Sequence, residues 1–462
     1  MEMLQSGLSF VGSMKARMKP ALSRQRLTGP SATLIGTTVA MNMLRIANTM
    51  VLTRLLAPSD YGLISVVMAI FFVIVMITDT GCQPFVVRHE RGLERDFLDT
   101  VWTIHLVRGI INALIAIALA VPLARLLEKP ALAPLLAVAA VSLAIDGAAS
   151  LSLFTALRQK MVRKLSLVDF TAFIIQLLVG LVAAWFLRNA WAIIIAIIAQ
   201  SLTRTVASFI VFPAAGRRLR MEWPIASELW RFSRMIAASS VLTLVISQVD
   251  RLVLARLFSL SQFGVYSIAG SLATAPVMVV HLYTSRIVYP ALADTWRTAP
   301  ERLRQTFYGM RGAVFYGYLF AAGGLLGSAT LVVRILYDPR YIEASRYLHL
   351  LAITTAMIML TKSMNEFLVA IGHVRATLEI NVVRLCWLVA AAALGFVAIG
   401  PIGIVVALAL IEFPAYLYGA FRLAKLHLYS PLYDLIAFAT IAAGVAVGSA
   451  GSAIGMMLLA SR

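Results

Sequence analysis

The sequence predicts an all-α, polytopic membrane protein: two six-helix transmembrane lobes related by a parallel pseudo-two-fold repeat, with an extra C-terminal helix. Three observations carry that prediction. Of 462 residues, 61% are hydrophobic and 13% are charged, a balance that no water-soluble domain of this size keeps in solution. Apolar runs recur almost end to end, each long enough to cross a hydrocarbon layer roughly 30 Å thick, which takes about 20 helical residues. Finally, a segment near the start of the chain reappears near its middle, the mark of an internal repeat.

Taken in order, turn residues and charges bound helices at 31–56, 61–82, 99–127, 131–157, 165–187, 190–212, 233–258, 264–290, 306–336, 342–371, 376–399 and 401–424, and a last apolar run fills 432–460. Segment 1–30 carries Lys15, Arg17, Lys19, Arg24 and Arg26 but no compact apolar run ahead of a small-residue cleavage site, so it reads as a retained cytoplasmic tail. Residues 31–213 form the N-lobe and 233–426 the C-lobe. The basic stretch 214–232, AAGRRLRMEWPIASELWRF, links them. The run 432–460 is rich in Gly and Ala and is expected to add a membrane helix, which puts the C-terminus outside if it spans.

Charge in the loops fixes the expected orientation. The tail and the even-numbered loops carry Arg88, Arg91, Arg95, Arg158, Lys160, Arg163, Lys164, Arg217, Arg218, Arg220, Arg297, Arg302, Arg304, Arg375, Arg422 and Lys425. The odd-numbered loops offer Lys129, Arg188 and Arg340. By the positive-inside bias the first group is cytoplasmic, and one missed span would have swapped the sides of every later loop. The net charge of +19 is therefore topological rather than a nucleic-acid surface. Cys82 and Cys386 lie in or at the ends of apolar segments, which argues against a disulfide framework.

The repeat aligns VLTRLLAPSDYGLIS (51–65) with VLARLFSLSQFGVYS (253–267), matching Val51 with Val253, Leu52 with Leu254, Arg54 with Arg256, Leu55 with Leu257, Ser59 with Ser261, Gly62 with Gly264 and Ser65 with Ser267. Each copy joins the first helix of a six-helix block to its second. An even number of spans returns the chain to its starting side, so the two blocks are parallel, related by an axis along the membrane normal. Two such lobes suit alternating access, with cargo held between them.

The string TRLLAPSDYGLISV, after a polar first helix, resembles the first loop of the Wzx-like lipid-linked oligosaccharide flippases, the polysaccharide-biosynthesis branch of the multidrug, oligosaccharidyl-lipid and polysaccharide exporter superfamily. QVDRLVLARLFSLSQFGVYSIAG resembles that family's seventh-to-eighth-helix counterpart. The resemblance covers the whole chain in layout. It implies two lobes around a central cavity that opens alternately inward and outward, in a bacterial inner membrane. The implied cargo is a polyprenyl-pyrophosphate-linked repeat unit for a surface polysaccharide, with membrane lipids and other polysaccharide-assembly proteins as partners and a monomeric transport unit. Members usually have twelve or fourteen spans, against thirteen here, which puts the C-terminal topology in question.

A charge at mid-membrane costs about 2.5–3.5 kcal/mol on insertion scales, so each intramembrane ionisable residue is a functional candidate. In helix 1, Asn42, Arg45, Asn48 and Thr49 fall on one stripe at helical spacing, with Arg45 near mid-span. Helix 7 repeats the pattern with Ser240, Thr243, Ser247, Asp250 and Arg251. Arg108, Arg204, Lys362 and Arg384 add cations; Asp146, Asp250, Glu366 and Glu412 stand against them. The candidate cationic cavity is thus Arg45, Arg251, Arg108, Lys362, Arg384 and Arg204, with Asp146 or Glu412 as a candidate site for a coupling ion. The competing reading makes these structural pairs, Arg108 with Asp146 or Arg384 with Glu412. Arg54 and Arg256, near helix ends, read as snorkelling cations.

Surplus cations suit phosphate, because guanidinium donates paired hydrogen bonds to its oxygens. A cation exporter of the same superfamily would need carboxylates, and a membrane glycosyltransferase or polymerase would need sizeable loops or an acidic catalytic cluster. His105, His281, His349 and His373 lack metal-ligand spacing, and no phosphate-binding Gly-rich loop follows a strand pattern. No enzyme, metal or cofactor is expected.

Overall fold

The fold is that of a computed structural model describing residues 30–212 and 218–461, without the side chains of 30–35, 39, 235–247, 249, 250 and 460. Among the described residues every regular element is helical. The long helices are α1 (Pro30–Leu55), α2 (Pro58–Ile77), α3 (Arg95–Leu126), α4 (Leu132–Gly147 bent by 52° onto Ser152–Arg158), α5 (Val162–Leu187), α6 (Trp191–Ile210), α7 (Trp223–Leu257), α8 (Leu260–Thr298), α9 (Ala313–Leu336), α10 (Ala344–Ala370), α11 (Arg375–Ile399), α12 (Pro401–Lys425) and α13 (Pro431–Ala460). Ten of them are apolar and long enough to cross a membrane, eleven with the bent α4 taken as one span. The basic tail 1–29 lies outside the described residues, as do residues 213–217, Arg217 among them.

The repeated motif makes structural sense as a pair of helix starts. Pro58 opens α2, where its missing N–H costs nothing, and Asp60 in the third position accepts the backbone N–H of Ala57 at 3.0 Å. Its other oxygen accepts the Ala190 N–H at 3.0 Å, tying α2 to the start of α6. In α8 the same job falls to Ser259 and Gln262, which form a reciprocal capping box.

The two halves pack in the same pattern. Contacts of α1 with α5, α5 with α6, α3 with α4, α4 with α6 and α2 with α4 are matched by α7 with α11, α11 with α12, α9 with α10, α10 with α12 and α8 with α10. The halves meet through α2 and α8. A Cβ on Gly62 would lie 2.0 Å from the Leu260 carbonyl oxygen, and one on Gly264 would lie 1.8 Å from that of Pro58. The contact is reciprocal residue for residue, the signature of a local two-fold, and only glycine allows it. One hydrophobic core, from Leu63 and Val66 through Phe258 and Phe263 to Tyr341 and Tyr347, runs through both halves at this face.

The linker boundary differs from the sequence expectation, and the C-terminal run does not. The helix α7 starts at Trp223, well before residue 233, because Ile225 and Leu229 bury against Phe85, Val86 and Phe97 of the N-terminal half and keep the linker helical. The stretch before it is pinned to α3: the backbone N–H of Arg218 donates to Asp99 and that of Arg220 to Thr103. The run 432–460 forms one continuous helix, α13, apolar and long enough to span. It lies against α9 along a seam where a Cβ on Gly323 would be 2.3 Å from the Ile441 carbonyl and one on Gly448 2.3 Å from that of Gly324, small residues letting the backbones touch. Its first turn is anchored by Asp434, buried and paired with buried Arg311, which lies among the rings of Phe307, Tyr308 and Phe315.

Candidate functional site

Two cavities meet on α8. The first, about 370 Å³, lies between α1 and α8 and is lined by Asn42, Arg45 and Thr49 on one side and Ser271, Thr274 and His281 on the other, with Tyr337 at its edge. The second, about 380 Å³, lies within the C-terminal half and gathers Arg251 of α7, Lys362 of α10, Arg384 of α11 and Glu412 of α12 around Tyr266, Thr354 and Thr355. Thr274 and Val277 line both. Four cations from four helices thus face one region, with a single lining carboxylate from a fifth.

The geometry of each cation decides what it offers. Arg45 is exposed to its cavity, with its guanidinium 5.7 Å from the Phe173 ring centre on α5. Thr49 spends its hydroxyl on the Arg45 backbone carbonyl at 2.9 Å, so it leaves the guanidinium alone. Among the described residues no carboxylate lies within ion-pairing distance of Arg45, Arg251 or Lys362. Arg384 is different: it donates to Glu412 at 2.7 Å and to Asn381 at 3.1 Å. Glu412, with 8% of its side chain exposed, also accepts the Thr361 hydroxyl. That pair welds α11, α12 and α10 together at the cavity wall.

The remaining candidates lie elsewhere. Arg108 does not pair with Asp146. It donates to the Val75 carbonyl at 2.8 Å, touches Thr78 at 3.4 Å and faces Asp79 at 3.8 Å, closing the last turn of α2. Arg204 is paired with Asp169 at 2.9 Å, joining α6 to α5. Asp146 lies half-buried beside Ser201 of α6. Asn48 turns its side-chain oxygen into a buried position where it finds no partner. The side chains of Ser240, Thr243, Ser247 and Asp250 lie outside the described residues. Arg256 is bound to Glu128 at 2.6 Å rather than only reaching for water. Cys82 and Cys386 are free thiols.

Sequence reading missed Asp79 and Asp169, the counter-ions of Arg108 and Arg204, because it searched for carboxylates near mid-span. It also missed Tyr266 and Tyr337 as cavity residues, since an aromatic in an apolar run carries no signal of its own.

A family model described as polysaccharide biosynthesis protein matches residues 51–346. The lipopolysaccharide biosynthesis protein WzxC of Escherichia coli (strain K12) is 23% identical over 399 residues, covering 85% of this chain and 79% of that protein. The succinoglycan biosynthesis transport protein ExoT of Rhizobium meliloti (strain 1021) is 22% identical over 327 residues, 70% of this chain and 65% of that one. Among solved structures, the lipid II flippase MurJ in an inward closed conformation aligns with a TM-score of 0.67 at 11% identity, over 93% of this chain and 98% of that one. A multidrug resistance MATE family transporter of the MOP superfamily, inward-facing, aligns at 0.60 and 12% identity, over 84% and 95%. These structures share the fold. Since the matched stretch takes in well over half of its residues, the chain belongs to the polysaccharide biosynthesis protein family.

Proposed function

We propose that the chain flips an anionic lipid-linked oligosaccharide, a polyprenyl-pyrophosphate-linked repeat unit for surface polysaccharide, across the bacterial inner membrane by alternating access. The observation that carries this reading is the charge of the paired cavities, where Arg45, Arg251 and Lys362 have no carboxylate at ion-pairing distance among the described residues and the one carboxylate lining them, Glu412, is taken by Arg384. A phosphate-bearing cargo supplies what these groups lack. Relatives named for lipopolysaccharide biosynthesis and succinoglycan transport, and a fold shared with a lipid II flippase, point the same way. Export of cationic drugs, suggested by the MATE likeness, would put the cargo against its own charge.

In this reading residues 31–213 and 233–426 are two lobes related by an axis along the membrane normal, and the matched packing and reciprocal glycine contact support that relation. The basic loops face the cytoplasm with the N-terminus, the 337–343 loop faces outward, and α13 carries the C-terminus across. The transport unit is a monomer. Asp146, half-buried beside Ser201, is the better candidate for a coupling ion, since Glu412 serves as counter-ion to Arg384.

Complementation of a flippase-deficient strain, with an immunoblot for abundance, tests the reading. Arg45→Ala should keep abundance and reduce surface polysaccharide severely; Lys should rescue in part, keeping the charge but losing the paired donors; Glu should fail. Wild-type transport by Arg45→Glu would overturn the cationic-cavity mechanism.

A further inference from the structure

At the face where α2 meets α8, the C-terminal ends of α1 and α7 each leave carbonyls without helical partners, and the dipole gathers negative charge there. Both ends are capped, and each cap comes from the other half of the molecule. Lys129, in the loop between α3 and α4, extends its ammonium to the carbonyls of Ala255 and Phe258 at the end of α7, the second at 3.1 Å. Arg340, in the loop between α9 and α10, donates to the carbonyls of Thr53 at 3.2 Å and Arg54 at 3.1 Å, and the neighbouring Tyr341 hydroxyl donates to that of Leu56 at 3.0 Å.

In the register of the repeat, where Arg54 answers to Arg256 and Gly62 to Gly264, Thr53 answers to Ala255 and Leu56 to Phe258. The same two carbonyls are therefore capped in both halves, by the equivalent loop of the opposite half, with different chemistry. The correspondence does not come from copied residues: Lys129 and the Arg340–Tyr341 pair share no sequence pattern. Lys129 is 6% exposed and Tyr341 wholly buried against Tyr61, ring centres 5.8 Å apart. Between the two caps lies the Gly62–Gly264 contact. Among the described residues, the Arg256–Glu128 pair also crosses from half to half at this face, and at the opposite end of α7 Ser233 donates to the Thr80 carbonyl and His89 meets Glu228, while the cavities lie between these ends along α1 and α8.

We propose that Lys129 and the Arg340–Tyr341 pair are the gate residues of transport: two reciprocal helix caps that hold the halves shut at this face, both of which must release before cargo can leave through it. The proposal rests on the alternating-access reading above. Parting the halves strips both caps at once, so the two act as one latch.

The test is thiol labelling of the full chain in sealed vesicles of each orientation, with Cys82→Ser and Cys386→Ser and a single reporter, Met278→Cys, on the cavity wall. Lys129→Met should raise labelling by an impermeant reagent from the face of the 337–343 loop by at least about fivefold and lower it from the opposite face, as a shift between two states requires. Arg340→Ala with Tyr341→Phe should do the same. Lys129→Arg, which restores a donor and the charge, should return both rates towards the parent. Labelling unchanged at both faces overturns the proposal. So does labelling that rises at both, because that is general loosening. Polysaccharide output is read separately: if labelling shifts as expected while Arg45→Glu still transports, the latch stands and the cargo reading falls.

Discussion

The two halves share one helix layout and use charge in opposite ways. In the N-terminal half the intramembrane cations of α3 and α6 are committed: Arg108 to the end of α2 and Asp79, Arg204 to Asp169. In the C-terminal half Arg251 and Lys362 face a cavity with no carboxylate at pairing distance among the described residues, and the paired Arg384 stands beside them. Arg45 belongs to the first half by sequence, yet α1 turns it towards α8 and the same region. Repetition thus supplied the geometry, and divergence of the polar residues committed the cations of α3 and α6 in one half while leaving the other, beside its own buried pairs Arg384–Glu412 and Arg311–Asp434, a cavity wall that holds charge in reserve. An unpaired cation survives there because a cavity keeps it hydrated.

The largest effect should come from reversing that reserve. Arg251→Glu with Lys362→Glu is expected to lower surface polysaccharide in the complementation assay at least about a hundredfold at normal abundance, two reversed contacts at more than one tenfold step each. Neutralising the N-terminal pair together, Arg204→Gln with Asp169→Asn, should leave most of the output. Equal losses would abolish the contrast between the halves.

Next in size is the cost of orphaning a buried charge. Arg384→Gln leaves Glu412 without its counter-ion in a site 8% exposed, which should cost about 3–5 kcal/mol of stability. Adding Glu412→Gln should recover most of it. Arg108→Gln should cost less, about 1.5–3 kcal/mol, since its firm contact is one hydrogen bond to a carbonyl and Asp79 is 3.8 Å away. Thermal unfolding in detergent measures both, and a larger loss at Arg108 would reverse the ranking.

How much of this was legible in the sequence follows from what each feature depends on. The helices were legible because bilayer thickness sets their length, ten of the thirteen being apolar and long enough to span and eleven with the bent α4, and α13 formed although Gly and Ala dominate it, since those residues are what its seam with α9 needs. The repeat was legible because Arg, Gly and Ser matches do not come from hydrophobicity. The early start of α7 was hidden because Ile225 and Leu229 find their partners around Phe97, far away in sequence. Among the site residues, Arg45, Arg251, Lys362 and Arg384 were visible as charges out of place. Whether such a charge faces a cavity or a carboxylate depends on which helices adjoin, and that is why Arg108 and Arg204 were grouped with them. Lys129 and Arg340 stood in the sequence as rare cations in loops otherwise poor in Lys and Arg, a pattern that topology explained too readily.

The smallest expected effect separates the two caps from each other. Arg340 is steadied by Asp338, at 2.8 Å, whereas Lys129 has no such support on its own loop beyond Glu128, which is engaged with Arg256. Hydrogen bonds from the Arg340 side chain and then its backbone N–H hold the Asp338 carboxyl below its ordinary range, and the charge of Arg54 adds to them. A carboxyl lowered in the folded state contributes stability above its unfolded value and loses it only as pH falls through the lowered one. The Arg340 arm should therefore be indifferent to acidification from about pH 8 to about pH 5. In the Lys129→Met chain, where that arm holds alone, labelling of Met278→Cys from the 337–343 face should stay flat across this window. Adding Asp338→Asn should raise it at every pH, by less than about threefold, as fits an exposed pair. A labelling step near neutral pH that Asp338→Asn removes would mean that the carboxyl is raised rather than lowered, and the two caps would then differ in their response to protons instead of in their strength.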